Sequence, residues 1–544
     1  MKKVFVCFLM GLLLFAGCGK ETEGVLQSSK EENVGGQETE NSVHTEPLKE
    51  VGKEEGLKEE EIPNVDLITL YKDYVAYEEW GKAGVICRAK GDIVRLFDEE
   101  LEKYPKLENA LEKENMATAD LMMSFMTDNI SYAREKDENE YFYGYEDRLE
   151  LSVQRADNLI VSVRQDQYQY TGAMRPLYAS VGFNIDPCTG EKLTITDIVT
   201  DFSMLLDVLG KKLTDHYDEE MFYEPPTEIL QTYTPDMLCW TMGYQGITFY
   251  FNSYELAPYV AGMQMVTVWF DEAEEWIDNK YMVSPKSGYV AELPMDKEIH
   301  VDLVEENQEK ETLILSRNYV DEAGECYQIA VSVNDEYDYS EEIFYYGDIK
   351  TFLACVPEQE RERFYLYVQY TIESTDLYVY ELTKEGMEYK GRVQNVNMPG
   401  KVLDQWDSYN QTQMYLQQVL SDPSKITMTS RMYLMGFMDG VKTYRADPKD
   451  GIPKATEEYY VLPEDFATLT SVRDLELEIL PEKTKEVVSA GTQFVYLRTD
   501  NENYIDFRLD DGRECRVRFE KIAEDATIAG YLPEDCFEGI PMYF

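Results

Sequence analysis

Histidine is nearly absent: the chain has only His44, His216 and His300. That excludes a His-rich metal site and leaves little for imidazole-based triads or general bases. Basic residues are scarce too. There are 51 Lys+Arg against 106 Asp+Glu, a formal charge of −55. A surface of that sign repels phosphate backbones, so nucleic acid is excluded as a partner, while basic proteins and cations are attracted. None of the nine cysteines forms a CxxC pair, which rules out a zinc ribbon or a thioredoxin-type motif. HExxH, GxSxG, GxxxxGK[ST] and GxGxxG are all missing. Carboxylate pairs of glycosidase type occur everywhere by chance among 106 acids and carry no signal. The acidic runs Asp335-Glu336-Tyr337-Asp338 and 271–275 lack the Gly and the bidentate Glu spacing of an EF-hand loop, so they read as solvated charge. The expectation is a non-enzyme without metal or cofactor.

What remains is ample: 544 residues, 44% hydrophobic and 13% aromatic, enough for three or four domains. Lys2 and Lys3 precede an apolar run from Val4 to Phe15, too short to span a bilayer and suited to a signal peptide. Phe15-Ala16-Gly17-Cys18 resembles the lipobox of bacterial lipoproteins. The resemblance implies cleavage before Cys18, its lipidation, and anchorage on the extracytoplasmic face of the cell membrane. Residues 19–63 carry 13 acids, 5 bases and almost no large apolar side chain, and read as a disordered acidic tether. The acidity therefore belongs mostly to the part expected to fold. That part holds seven cysteines, an odd number, read mostly as small buried residues.

The fold class expected is α+β. Residues 64–94 are strand-rich and 95–136 helical with a break near Pro105. The stripe Ala119, Met122, Met123, Met126, Ile130 and Ala133 marks the buried helix face. Alternation follows at Leu149-Leu151-Val153, Leu159-Val161-Val163 and Val181-Phe183-Ile185, then a helix with the face Phe202, Leu205, Leu206, Leu209, Leu213 and Tyr217. Residues 239–251 and 263–270 close the first domain, 64–285, with strands. Residues 291–450 read as a β-rich domain, either partial propeller blades or a sandwich or open meander, with a helix over 403–421. Residues 455–544, with the turn Asp510-Asp511-Gly512, resemble a small SH3-like β-barrel. Arg508, Arg516 and Arg518 read there as a solvated strand face rather than a carboxylate site.

Two motifs carry a family resemblance. One is 170–176 (YTGAMRP) followed by 183–186 and 189–197; the other is 249–262 (FYFNSYELAPYVAG). Together they resemble the domain shared by the extracytoplasmic part of RsiV and the N-terminal part of PdaC. Where that family has a second Gly and a His, this chain has Ala173 and Met174. The resemblance implies an α+β binding module at the cell envelope, with lysozyme or another basic envelope or host protein as ligand. Candidate ligand-binding residues are Gly172, Ala173, Asn184, Asp186, Asn252, Tyr254, Glu255 and Tyr259, each weighed against a role in holding the fold. Two alternatives stay open: a scaffold binding cell-wall components through the C-terminal barrel, and a carboxylate-based hydrolase.

Overall fold

Long β-branched and aromatic runs open the described chain. Strands β1 (Leu70–Trp80) and β2 (Val85–Leu96) pair antiparallel. In this computed structural model the described residues are 63–541, apart from 83, 140–141, 143, 304–309, 321–325, 341–343, 346–348, 360, 371–375, 400, 408–411, 463–466 and 523–524. The expected signal peptide, Cys18 and nearly all of the expected tether therefore lie outside them.

Helix α1 (Asp98–Leu101) and helix α2 (Pro105–Asn139) follow, with Pro105 at the first helical position, where its missing N–H costs nothing. They lead to β3 (Tyr145–Ala156), parallel to β2, which such a crossover permits. The buried seam of α2 runs through Leu107, Leu111, Thr118, Met122, Phe125, Met126 and Ala133. Met123, expected inside, is exposed, because one residue further turns the helix about 100° off the seam, and Phe125 packs in its stead. Gly91 in β2 lets the layers close: a Cβ there would lie 3.0 Å from Leu149 Cβ and 3.3 Å from Met122 sulfur.

Strands β4 (Val161–Tyr170) and β5 (Leu177–Ile185) extend the sheet antiparallel. Helix α3 (Phe202–His216), capped by the Asp201 side chain on Met204 N–H, buries Leu205, Leu206, Leu209 and Leu213. Its partner is a three-stranded sheet of β6 (Cys239–Met242), β7 (Gly246–Phe251) and β8 (Gln264–Trp269).

The next ten strands form two further sheets. These are β9 (Tyr289–Glu292), β10 (Glu298–Val301), β11 (Glu311–Tyr319), β12 (Cys326–Val333), β13 (Glu336–Tyr339), β14 (Phe344–Tyr345), β15 (Ile349–Cys355), β16 (Phe364–Tyr370), β17 (Leu377–Thr383) and β18 (Gly386–Val393). The β10–β14 sheet faces the β9, β15–β18 sheet across a shared core of Leu313, Leu315, Ile329, Val331, Leu353, Leu366 and Val368. The opposite face of the second sheet is also covered: Phe352, Tyr365, Tyr367 and Val379 pack with Ile426, Met428 and Tyr444. That double burial explains the unbroken apolar run Phe364–Val368.

The helix expected at 403–421 is absent. Strands β19 (Lys401–Asp407) and β20 (Thr412–Gln418) stand there, and β20 pairs with β1 to give a seven-stranded sheet, β19-β20-β1-β2-β3-β4-β5. Pairing with the open edge of β1 overrides the helical preference of Leu, Gln and Met. Residues 426–538 build one eleven-stranded sheet. The Asp-Gly hairpin forms as expected, with Gly512 at φ +86° and its N–H donating to Leu509 O at 2.9 Å. The SH3-like barrel does not form among the described residues. The sheet is open, with Ile426–Met432 and Thr484–Val488 at opposite ends, and it draws two strands from before residue 455. Overall the chain is mostly β, 47% strand to 19% helix, and among the described residues the longer helices lie in its first half, with one short helical turn at Pro533–Cys536. Among the described residues no helix is long and apolar enough to cross a membrane.

Candidate functional site

The two resembling motifs meet. The loop after β4 (171–176) and the loop after β7 (252–263) are joined by the Tyr259 hydroxyl, which donates to Pro176 O at 2.7 Å, and by the Arg175 guanidinium, 5.5 Å from the Tyr259 ring. Gly172 sits at φ +77°, a conformation an L side chain adopts poorly, and an added Cβ would stand 3.1 Å from the Tyr145 ring. Ala173 is exposed in the same turn.

Under the loops lies a polar latch. Asn252 completes a ladder rung that no strand supplies: its Oδ1 accepts from Ser180 N–H at 2.7 Å and its Nδ2 donates to Ser180 O at 3.0 Å. This ties the edge strand β5 to the loop. Glu255 accepts the Asn252 N–H at 2.8 Å and the Tyr233 hydroxyl at 3.1 Å. Burial pushes the Glu255 carboxyl up to about 7, against the Asn252 N–H and Tyr233 hydroxyl, which pull it down. Burial also raises the Tyr233 hydroxyl, reinforced by the carboxylate beside it. The turn places Tyr254 at φ +72°, strained for a bulky residue, with its ring outward and 5.9 Å from Tyr259.

The latch presents an apolar face to solvent. Met174 is 99% exposed and Val260 84%, and Tyr178 and Tyr254 are exposed with them. An acidic segment stands alongside, held by Tyr223 N–H donating to Leu256 O at 3.0 Å. It exposes Asp218, Glu219, Glu220 and Glu224 together with the Tyr223 ring.

Six of the eight expected residues (Gly172, Ala173, Asn252, Tyr254, Glu255 and Tyr259) therefore converge. Within that group Asn252 and Glu255 hold the loop, and Tyr254 stands at its surface. Asn184 and Asp186 lie apart and serve the fold. Asn184 is buried, accepting from Ser162 Oγ at 2.6 Å and donating to Trp240 O at 3.0 Å, and Asp186 accepts the N–H groups of Cys188 and Thr189 in its own turn. Ser180, Tyr223 and Tyr233 were missed. They join the site through long-range contacts, and nothing in their local sequence marks them. In the C-terminal sheet Arg516 grips the fully buried Asp506 with two hydrogen bonds and Arg518 pairs with Glu478, so these cations are satisfied internally.

With the geometry in place, comparison with known proteins gives one family match. Residues 214–271, from the end of α3 through β8, match the family described as "Protein of unknown function (DUF3298)". Two solved structures of that family are similar. A member from Bacteroides fragilis NCTC 9343 has 17% identity and a TM-score of 0.31, over 39% of this chain and 96% of that one. A member from Pseudomonas aeruginosa PAO1 has 15% identity and a TM-score of 0.28, over 40% of this chain and 98% of that one. No curated protein matches the chain.

Proposed function

We propose that this chain is a lipid-anchored extracytoplasmic binding protein that captures a basic protein of the lysozyme kind on the face built by loops 171–176 and 252–263. One observation carries the reading: an exposed apolar and tyrosine surface, fixed from beneath by the Ser180–Asn252–Glu255–Tyr233 latch and edged by Asp218, Glu219, Glu220 and Glu224. Rigid aromatic anchors beside carboxylates suit a partner rich in Lys and Arg. The resemblance of both loops to the RsiV/PdaC-type domain supports the ligand class, and the sequence around Cys18 supports the anchor. No catalytic step is assigned; the chain acts by binding.

The test uses the full chain and a lysozyme at low salt, with Val260→Asp as the variant. Val260 is nearly free of contacts, so the variant should fold. Micromolar or tighter binding is expected, weakened at least tenfold by the substitution. No binding at low salt, or equal binding by the variant, would overturn the reading. For the anchor, Cys18→Ser should move the chain out of the membrane fraction; unchanged fractionation would refute it.

A further inference from the structure

A sizeable cavity lies away from the loop face. A cleft of about 780 Å³ opens where α3, the β6–β8 sheet, β4 and the segment from β9 to β10 come together. That volume lies in the range of small-ligand clefts, roughly 300–1,000 Å³, and such clefts favour junctions between structural units.

Its charge is unlike that of the rest of the molecule. The chain has about two acids per base, yet four cationic side chains (Arg164, Lys211, Lys212 and Lys297) meet four carboxylates in the lining. Most of these are spent on one another or on close neighbours. Arg164 pairs with Asp166, Lys211 with Asp215 and Lys212 with Glu272, each at 2.6 Å, and Glu298 meets His300 at 3.0 Å. Two are left over. Lys297 is exposed and has no ion pair among the described residues. Glu292 is exposed and has only the Ser152 hydroxyl, at 2.8 Å. Both line the cleft, five positions apart in sequence. Between the charges the walls mix aromatic, aliphatic and hydroxyl groups: Tyr244, Tyr250 and Trp269 line the cleft with Met265 and Ile299, and Thr248 and Thr267 share a hydrogen bond at 3.0 Å.

The lining carries four positive and four negative side chains, so a ligand of either net sign leaves one of the two unspent charges unmatched, and a net anion is also opposed by the field of a −55 chain. A ligand with one charge of each sign and no net charge meets neither barrier. We propose that the cleft binds a short zwitterionic peptide, its carboxylate on Lys297 and its ammonium on Glu292. This site is separate from the loop face, and its ligand is independent of the partner proposed there.

The probe is trialanine, titrated against the full chain by calorimetry, together with its C-amidated and N-acetylated forms. Saturable binding is expected, and each cap should weaken it at least tenfold. Lys297→Gln should cost as much as amidation, and amidating the peptide should then cost nothing further. Glu292→Gln should stand in the same relation to acetylation. Both side chains are exposed, so an unchanged melting temperature serves as the folding control. No binding of trialanine up to about 10 mM would overturn the proposal. So would capped peptides that bind equally well, or losses from cap and substitution that simply add.

Discussion

At the residue scale, two ionisable groups held inside the first half of the chain make testable contributions to stability. Glu255 has its carboxyl raised from 4.5 to about 7 by burial. The folded state therefore holds a proton that the unfolded state has released between those values. Stability contributed at this site is full below about 4.5 and falls as pH rises through 7, by about 3 kcal/mol at most. Glu255→Gln keeps an acceptor for the Asn252 N–H and a partner for Tyr233 while removing the titration. Denaturant unfolding at pH 5 and pH 8 should show wild type losing more stability than the variant, and parallel losses would disprove the assignment. Arg155 is the other case. It is fully buried, pairs with the fully buried Asp157 at 2.6 Å, and donates to Tyr281 O at 2.6 Å and Val283 O at 3.2 Å. It thus clamps the end of β3 to the chain leaving the β6–β8 unit. Arg155→Met leaves Asp157 charged and without its cation, and should cost roughly 3–5 kcal/mol in chemical unfolding.

At the element scale, the seven-stranded sheet makes a prediction that the sequence segments alone would have reversed. Residues 64–285 look like a self-contained domain, yet β1 owes one neighbour to β20, more than 300 residues away: Tyr71 stands opposite Gln418, and Val419 N–H donates to Leu70 O at 2.8 Å. A fragment ending at 285 bares that edge and strips Val419 from the core cluster that holds Ile68 and Leu70. It should self-associate in size-exclusion chromatography, whereas residues 61–544 should run as a single species; a monodisperse fragment would show that β20 is dispensable. The same example marks the limit of what the sequence makes legible. The α3 face and the strands around Leu149, Val163 and Phe183 followed from local period, because each buries one face only. The convergence of the two loops was legible only through resemblance. The place of β19 and β20 was not legible, since their preference is set by a distant edge. The barrel failed for a related reason: a hairpin signal such as Asp511-Gly512 fixes two strands and says nothing about whether the sheet closes.

At the scale of the whole molecule, charge pulls stability and binding in opposite directions with salt. With −55 on 544 residues, the folded chain crowds like charges that the unfolded chain spreads apart. Added salt screens that repulsion over a Debye length of about 10 Å at 0.1 M, so the melting temperature of the free protein should rise between 0.05 and 0.5 M salt. The proposed capture of a basic partner would depend on the same field with the opposite sign. Its association rate should fall steeply over that range, at least tenfold, while dissociation, governed by the apolar contacts of Tyr254 and Val260, changes little. Stopped-flow mixing with a lysozyme at several salt concentrations separates the two rates. A loss of affinity carried by dissociation instead would mean that the carboxylates of residues 218–224 act as direct contacts and not as a guiding field. An association rate indifferent to salt would remove the electrostatic argument for a basic partner altogether.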